Sequence, residues 1–399
     1  MHTPPPDYSA RVTSWLAHIH SLAVDIGPRG PTTPGERRGA DYCRQSLQKL
    51  GLEVSWETFR SARSIFLPHL LASTLMLVAF AIYPLAGVTS AAIACLISFV
   101  ALISDLQELS FQNNLLRMLM PKAESQNVVA IQEPTGEHRQ DLIVIGHLDS
   151  QRTPIIFSTP RWLAAYKQFT TIAFAAFAGQ SLLYLLGIFT QWSWIWPVTS
   201  LSALSALLLA LMCIQADLTP FTAGANDNAT AAGLVVTLAE HLRDNPLQHT
   251  RVWLACTGCE EVQHYGAIDF FARHKAQFVK PHALVFEMLG CAGPAWLTSE
   301  GIIIPFRADP KMISLAEQVA RQHPDLDAYP VGIEGGNTEM ADALRQGIPA
   351  ITLFGITRDG VAPYWHVPGD TFDKIDPAVL NRNYAFTWHM IQALDAAVM

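Results

Sequence analysis

The sequence predicts an α/β protein whose largely parallel sheet is covered on both faces and whose chain is interrupted by two apolar helical hairpins. Three observations carry this reading. Short apolar strands alternate with helical segments along the polar part of the chain, the pattern of a sheet flanked by helices. Positions 64–104 and 168–216 contain no Lys, Arg, Asp or Glu. Histidines and carboxylates recur where successive strands end, which is where ligands collect in open α/β sheets.

The strands are read first. Residues 127–131 (NVVAI), 142–145 (LIVI), 252–256 (VWLAC), 283–286 (ALVF) and 350–354 (AITLF) are short apolar runs of the kind that form buried strands. Helices are expected between them at 229–243, 268–274 and 311–322. Without the two uncharged stretches the chain has an ordinary size for a single α/β domain. The domain reading is therefore one polar domain made of 1–63, 105–167 and 217–399, with hairpins inserted at 64–104 and 168–216.

Each uncharged stretch has room for two helices of the roughly 20 apolar residues needed to cross a bilayer. Breaks are expected near the middle of each, at 83–87 (YPLAG) and 191–197 (QWSWIWP). Four membrane-spanning helices in two hairpins follow, with Trp192, Trp194 and Trp196 suited to an interfacial aromatic belt. Arg60, Arg63, Arg161 and Lys167 flank the hairpins on the side of the polar domain, while the hairpin turns carry no charge. The positive-inside rule then makes this a multi-pass protein of the cell membrane, with the lipid bilayer as a partner and the polar domain in the cytoplasm.

Other features narrow the function. The first 60 residues, beginning MHTPPPDYSA, are mixed and polar and do not read as a signal peptide. Cys95 and Cys213 fall in the apolar stretches, and Cys43, Cys256, Cys259 and Cys291 form no obvious disulfide framework, which suits a reducing compartment. With 26 basic against 34 acidic residues and a formal charge of -8, the chain offers no nucleic-acid surface. Apolar stretches free of charged residues also argue against an ion transporter.

The strand ends carry the chemistry. Strand 142–145 runs into GHLDS, with His147 and Asp149, and GANDNA at 224–229 brings Asp227 to the start of a helix. Strand 252–256 runs into TGCEE with Glu260 and Glu261, strand 283–286 ends at Glu287, and the loop YWHVPGD carries His366. Imidazoles and carboxylates without thiolates suit zinc. If one carboxylate bridges, two zinc ions can each take one histidine and one further carboxylate, and a sixth residue remains as a base for water. Cys256 and Cys259 have C-x-x-C spacing but no second pair, so packing is the expected role. His264 is expected at the surface or behind a ligand.

In this order, HLD at 147–149, GANDN at 224–228, EE at 260–261, EMLG at 287–290 and HVPGDT at 366–371 resemble the co-catalytic zinc aminopeptidases of metallopeptidase family 28. Each motif alone is weak, and five in register are strong. The likeness extends to RGADYC at 38–43, LQKLG at 47–51 and GIPA at 347–350. It implies a three-layer α/β/α zinc-exopeptidase fold with a central mixed, mostly parallel sheet into which the hairpins are inserted. It also implies two zinc ions, with His147 and Glu287 on the first, Glu261 and His366 on the second and Asp227 bridging.

The same resemblance makes Glu260 the general base and Asp149 the carboxylate that sets the His147 tautomer. Asp370 would support the His366 loop, and a cis peptide bond would follow Asp227. The implied reaction is hydrolysis of peptide substrates from one end, most readily as an aminopeptidase. Two departures stand out: Glu287 replaces an Asp found in many relatives, and Trp365 before His366 is similar to the glutaminyl cyclases of the same superfamily. A single-zinc cyclase is thus the second enzyme reading. A catalytically silent membrane receptor or scaffold is the third, and it predicts lost ligands where all six positions are filled.

Overall fold

The computed structural model describes residues 8–397. The chain forms two compact units: a polar unit that runs to Arg63, resumes over Ala123–Gln151 and continues from Phe221, and a helical unit made of Ser64–Lys122 and Arg152–Pro220.

The polar unit is a mixed α/β fold around nine strands: β1 (Val54–Ala62), β2 (Lys122–Gln132), β3 (Gln140–His147), β4 (Thr250–Thr257), β5 (His282–Glu287), β6 (Ala295–Glu300), β7 (Phe306–Arg307), β8 (Tyr329–Gly332) and β9 (Ala350–Phe354). Their order is β1-β2-β4-β3-β5-β9-β6-β7, with β8 paired to β6. The centre is parallel, β3 lying between β4 and β5 and β5 pairing with β9. The flanking β2/β4, β6/β9 and β6/β7 pairs are antiparallel.

β3, β5 and β9 are buried at every residue, which explains their unbroken apolar runs. β1 and β6 to β8 were not legible as strands. β1 alternates apolar with polar residues in VSWETFRSA, β7 has two residues and β8 contains Pro330. None offers the apolar run that marks a central strand.

Register decides where the strand ends fall. His147 lies opposite Thr257, and Ile145 opposite Val285, so β3, β4 and β5 finish level and deliver their last residues to one place. The helix Thr230–Asp244 is buried along most of its length and packs against the helix Ser9–His20, where Trp15 Nε1 donates to the Thr230 carbonyl at 2.7 Å. The helix Pro310–Gln322 starts at Asp309, whose side chain accepts from Lys311 and Met312 N–H, with proline in its first turn. The expected helix at 268–274 begins earlier, as Tyr265–His274.

The helical unit contains Phe66–Ile82, Gly87–Leu109, Pro160–Thr190 and Ser200–Leu218, the last preceded by the short Ile195–Val198. Among the described residues, three segments are long and apolar enough to cross a membrane: Gly87–Leu109, Pro160–Thr190 and Ile195–Leu218. Phe66–Ile82 has 17 residues and, at about 1.5 Å each, is at the short end for a hydrocarbon core of about 30 Å. The unit also extends beyond the uncharged stretches, taking in 105–122 and 152–167. Charge marks its edge poorly because its charged residues are paired within it: His69 with Asp105 at 2.6 Å and Arg117 with Glu108 at 3.0 Å.

Candidate metal centre

The site begins with the level ends of three parallel strands. His147 is the last residue of β3, Glu260 and Glu261 follow β4, and Glu287 is the last residue of β5. Asp227 enters from the irregular turn Ala225–Ala229, whose Asp227-Asn228 peptide bond is cis. His366 comes from the loop after β9 and has φ 54°. Cys259, His264 and Met288 also have positive φ, so the turns around the strand ends hold left-handed backbone that residues with a Cβ rarely adopt.

Two groups of side chains converge here, His147/Asp227/Glu287 and Asp227/Glu261/His366, each with ligand atoms within 4.8 Å of one another. His147 Nε2 lies 3.5 Å from Asp227 Oδ1 and 3.6 Å from Glu287 Oε2. His366 Nε2 lies 3.3 Å from Asp227 Oδ2 and 3.2 Å from Glu261 Oε2. Asp227 therefore presents one oxygen to each group. Glu260 stands beside them, its Oε2 3.8 Å from His147 Nε2. All six residues singled out in the sequence as ligands or base come together, and Asp149 lies beside them.

The surroundings hold each side chain in place. His147 Nδ1 donates to the backbone carbonyl of Asp149 at 3.1 Å, leaving Nε2 toward the group. The Asp149 carboxylate, 3.6 Å from Nδ1, instead accepts the backbone N–H groups of Glu260 and Glu261, both at 3.0 Å. Asp370 likewise accepts from Asn226 N–H at 2.7 Å and Asp227 N–H at 3.0 Å, so it supports the turn that carries Asp227 as well as its own loop. Asn228 Nδ2 donates to Glu287 Oε1 and Gln151 Nε2 to Glu261 Oε2, each at 3.0 Å.

Two further residues, Arg29 and Glu36, were invisible in the sequence, and a third, His264, was expected only at the surface or behind a ligand. Arg29 is fully buried and donates to the carbonyls of Leu22, Gly27, Leu148, Ala223 and Gly224, tying together the segments after His147 and before Asp227. Glu36 accepts from Cys259 N–H at 2.8 Å and from its thiol at 3.3 Å, which settles the packing role of that cysteine. His264 is buried against Glu260 and Asp342. The only local hint for it is the four-residue spacing from Glu260.

The donor set calls for cations. Burial and the neighbouring Glu261 push the Asp227 carboxyl well above its ordinary range, and burial and Glu260 do the same to Glu261. Asp227 Oδ2 and Glu261 Oε1 are buried without a hydrogen-bond partner, a costly state for carboxylate oxygens. Two imidazoles and three carboxylates, with no thiolate in either group, fit zinc. Glu260 differs: burial opposes its ionisation, but His147 and then His264 bring its carboxyl down to about 2.

Residues 211–391 match peptidase family M28. The M28 match contains Asp227, Glu260, Glu261, Glu287 and His366, while His147 and Asp149 precede it. No curated protein matches the chain. Among solved structures, the glutaminyl cyclase of Fimbriiglobus ruber is similar over 98% of this chain and 97% of its own, with TM-score 0.56 and 17% identity. BSAP, a zinc aminopeptidase from Bacillus subtilis, is similar over 95% and 94%, with TM-score 0.57 and 12% identity. A leucine aminopeptidase precursor from Bacteroides thetaiotaomicron is similar over 98% of both chains, with TM-score 0.55 and 12% identity. At such identities the likeness is one of fold, and the aminopeptidases and the glutaminyl cyclase share it.

Proposed function

We propose that the protein is a membrane-anchored exopeptidase, acting as an aminopeptidase, in which two zinc ions would be held by His147 and Glu287, by Glu261 and His366, and by Asp227, which belongs to both groups. The M28 match supports a zinc metallopeptidase or related hydrolase. The sharing of Asp227 between two ligand groups, one oxygen facing each, carries the two-ion reading. Zinc, when bound, supplies Lewis acidity, polarising a carbonyl oxygen and making water acidic near neutral pH.

The chain's own residues do the rest. Glu260, ionised and with Oε2 on the side of the ligand group, accepts a proton from water and returns it to the leaving amine, work typically contributing about 100- to 10,000-fold. Asp149 keeps the backbone of Glu260 and Glu261 in register, so that adjacent carboxylates have separate tasks. Helices long and apolar enough to cross a bilayer would anchor the enzyme, and the arginines and lysine flanking them favour a cytoplasmic polar unit. A reporter fused after the last helix, active only in the cytoplasm, tests that orientation.

The test of activity is a peptide-library digest with zinc-loaded protein, wild type against Glu260→Gln. Loss of cleavage with zinc content unchanged is expected, and unchanged cleavage would overturn the base assignment. One observation favours a second reading, a single-zinc glutaminyl cyclase: the Trp365 ring lies 4.5 Å from that of His366, beside a fold shared with glutaminyl cyclases. One zinc per chain, together with cyclisation of an N-terminal glutaminyl peptide and no cleavage, would select it.

A further inference from the structure

We infer that His264, oriented by Asp342, is the positioning residue for the Glu260 carboxylate; the inference rests on Glu260 being the base. The His264 ring is buried between two carboxylates, with Nδ1 2.6 Å from Asp342 Oδ2 and Nε2 3.1 Å from Glu260 Oε1. Asp342 is itself anchored in the helix Met340–Arg345, where Arg345 Nη1 approaches its other oxygen at 3.4 Å. Asp342 accepts the hydrogen bond from Nδ1–H and so turns Nε2–H of the ring onto Glu260 Oε1.

This contact divides the labour of the two Glu260 oxygens. Oε1 is engaged by His264, and Oε2 is the oxygen near the ligand group, 3.8 Å from His147 Nε2. A glutamate has three side-chain torsions and two equivalent oxygens, so a base that must meet water in one place gains from having one oxygen pinned. The turn is built for the purpose: the Glu260 carbonyl accepts the N–H of Gln263 at 3.0 Å and of His264 at 2.8 Å, folding the ring back toward the side chain four residues earlier.

The backbone gives an independent sign. His264 has φ 56° and Gln263 φ 85°, a region that favours glycine. His264 also precedes the helix Tyr265–His274 without making a side-chain capping bond, so capping does not explain the ring. An imidazole is kept where glycine would be the easier residue, and its two nitrogens are both spent on carboxylates.

The same positive φ makes a clean test possible, since His264→Gly is compatible with the backbone and leaves a space shaped for imidazole. Zinc-loaded full-length wild type, His264→Gly, Asp342→Asn and Glu260→Gln are compared on the peptide cleaved fastest in the library digest, with zinc content measured for each. His264→Gly is expected to lower kcat by about 10- to 100-fold, the usual effect of losing such a supporting partner, with KM and zinc content unchanged and with partial recovery on adding imidazole. Asp342→Asn is expected to lower kcat less, without recovery.

Wild-type kcat in both variants beside an inactive Glu260→Gln overturns the positioning role and leaves the base standing. A loss in His264→Gly that imidazole does not restore, with zinc retained, overturns it too. Should His264→Gly fail to hold zinc, Asp342→Asn decides, and wild-type kcat there refutes the inference. Full activity in Glu260→Gln removes base and positioning residue together.

Discussion

Replacing Asp149 by Asn would disturb the pin that separates the roles of Glu260 and Glu261. The Asp149 carboxylate is fully buried and accepts the N–H of both residues at 3.0 Å. Asn keeps one acceptor oxygen and turns an amino group toward the other N–H, so one hydrogen bond to a charged group is lost. Such a bond contributes about 1.5–3 kcal/mol, and about 1.4 kcal/mol is tenfold in rate, so kcat should fall roughly 10- to 150-fold. The same residue contains a control. His147 Nδ1 donates to the Asp149 backbone carbonyl, which the substitution leaves in place, so under the proposed two-zinc assignment a zinc held by His147 and Glu287 should keep its affinity while one held by Glu261 and His366 weakens. Steady-state kinetics at saturating zinc and zinc titration against a chromophoric chelator measure both. A kcat within about twofold of wild type, or weakening confined to the His147 zinc, would refute the reasoning.

Two further substitutions probe the scaffold. Arg29→Met withdraws the donor from five carbonyls, of which those of Leu22 and Gly224 still accept the N–H of Gly27 and Ala229; at about 1–3 kcal/mol for each orphaned buried group, not additive, a loss of about 3 kcal/mol is expected, and a melting temperature equal to wild type would show that the clamp adds nothing. Glu36→Gln tests a pH dependence. Burial, and then the Asp149 charge, raise the Glu36 carboxyl from 4.5 to about 8, so the folded chain holds a proton there that the unfolded chain has released. That stabilisation is complete below about pH 4.5 and erodes as pH rises to about 8. The wild-type melting temperature should therefore fall relative to Glu36→Gln between pH 5 and 8, and parallel profiles would contradict it.

Much of the site was legible because its chemistry sits at strand ends. β3, β4, β5 and β9 announced themselves through unbroken apolar runs, and a polar residue closing such a run is conspicuous: His147 after LIVIG, Glu260 and Glu261 after VWLAC, Glu287 after ALVF. The absence of charge marked the hairpin helices in the same way, though it left out Asp105, Glu108 and Arg117, which are paired within the helical unit. Asp149 was recognisable beside His147, but its task was not, since only the fold shows its carboxylate on the backbone of residues 111 and 112 positions away.

What local sequence determined by itself, then, was the kind of each central element and the candidate ligand types at its end, because periodicity and charge act over a few residues. The tertiary structure alone decided the partnerships: Asp370 with the Asp227 turn, Arg29 with segments on both sides of the site, Glu36 with Cys259, Asp342 with His264. These depend on the sheet order, which sets β3 between β4 and β5 and levels their ends. The four-residue spacing in TGCEEVQH allowed His264 to reach Glu260; Asp342, 78 residues later, is what turns its ring there, because only packing brings that helix beneath the turn.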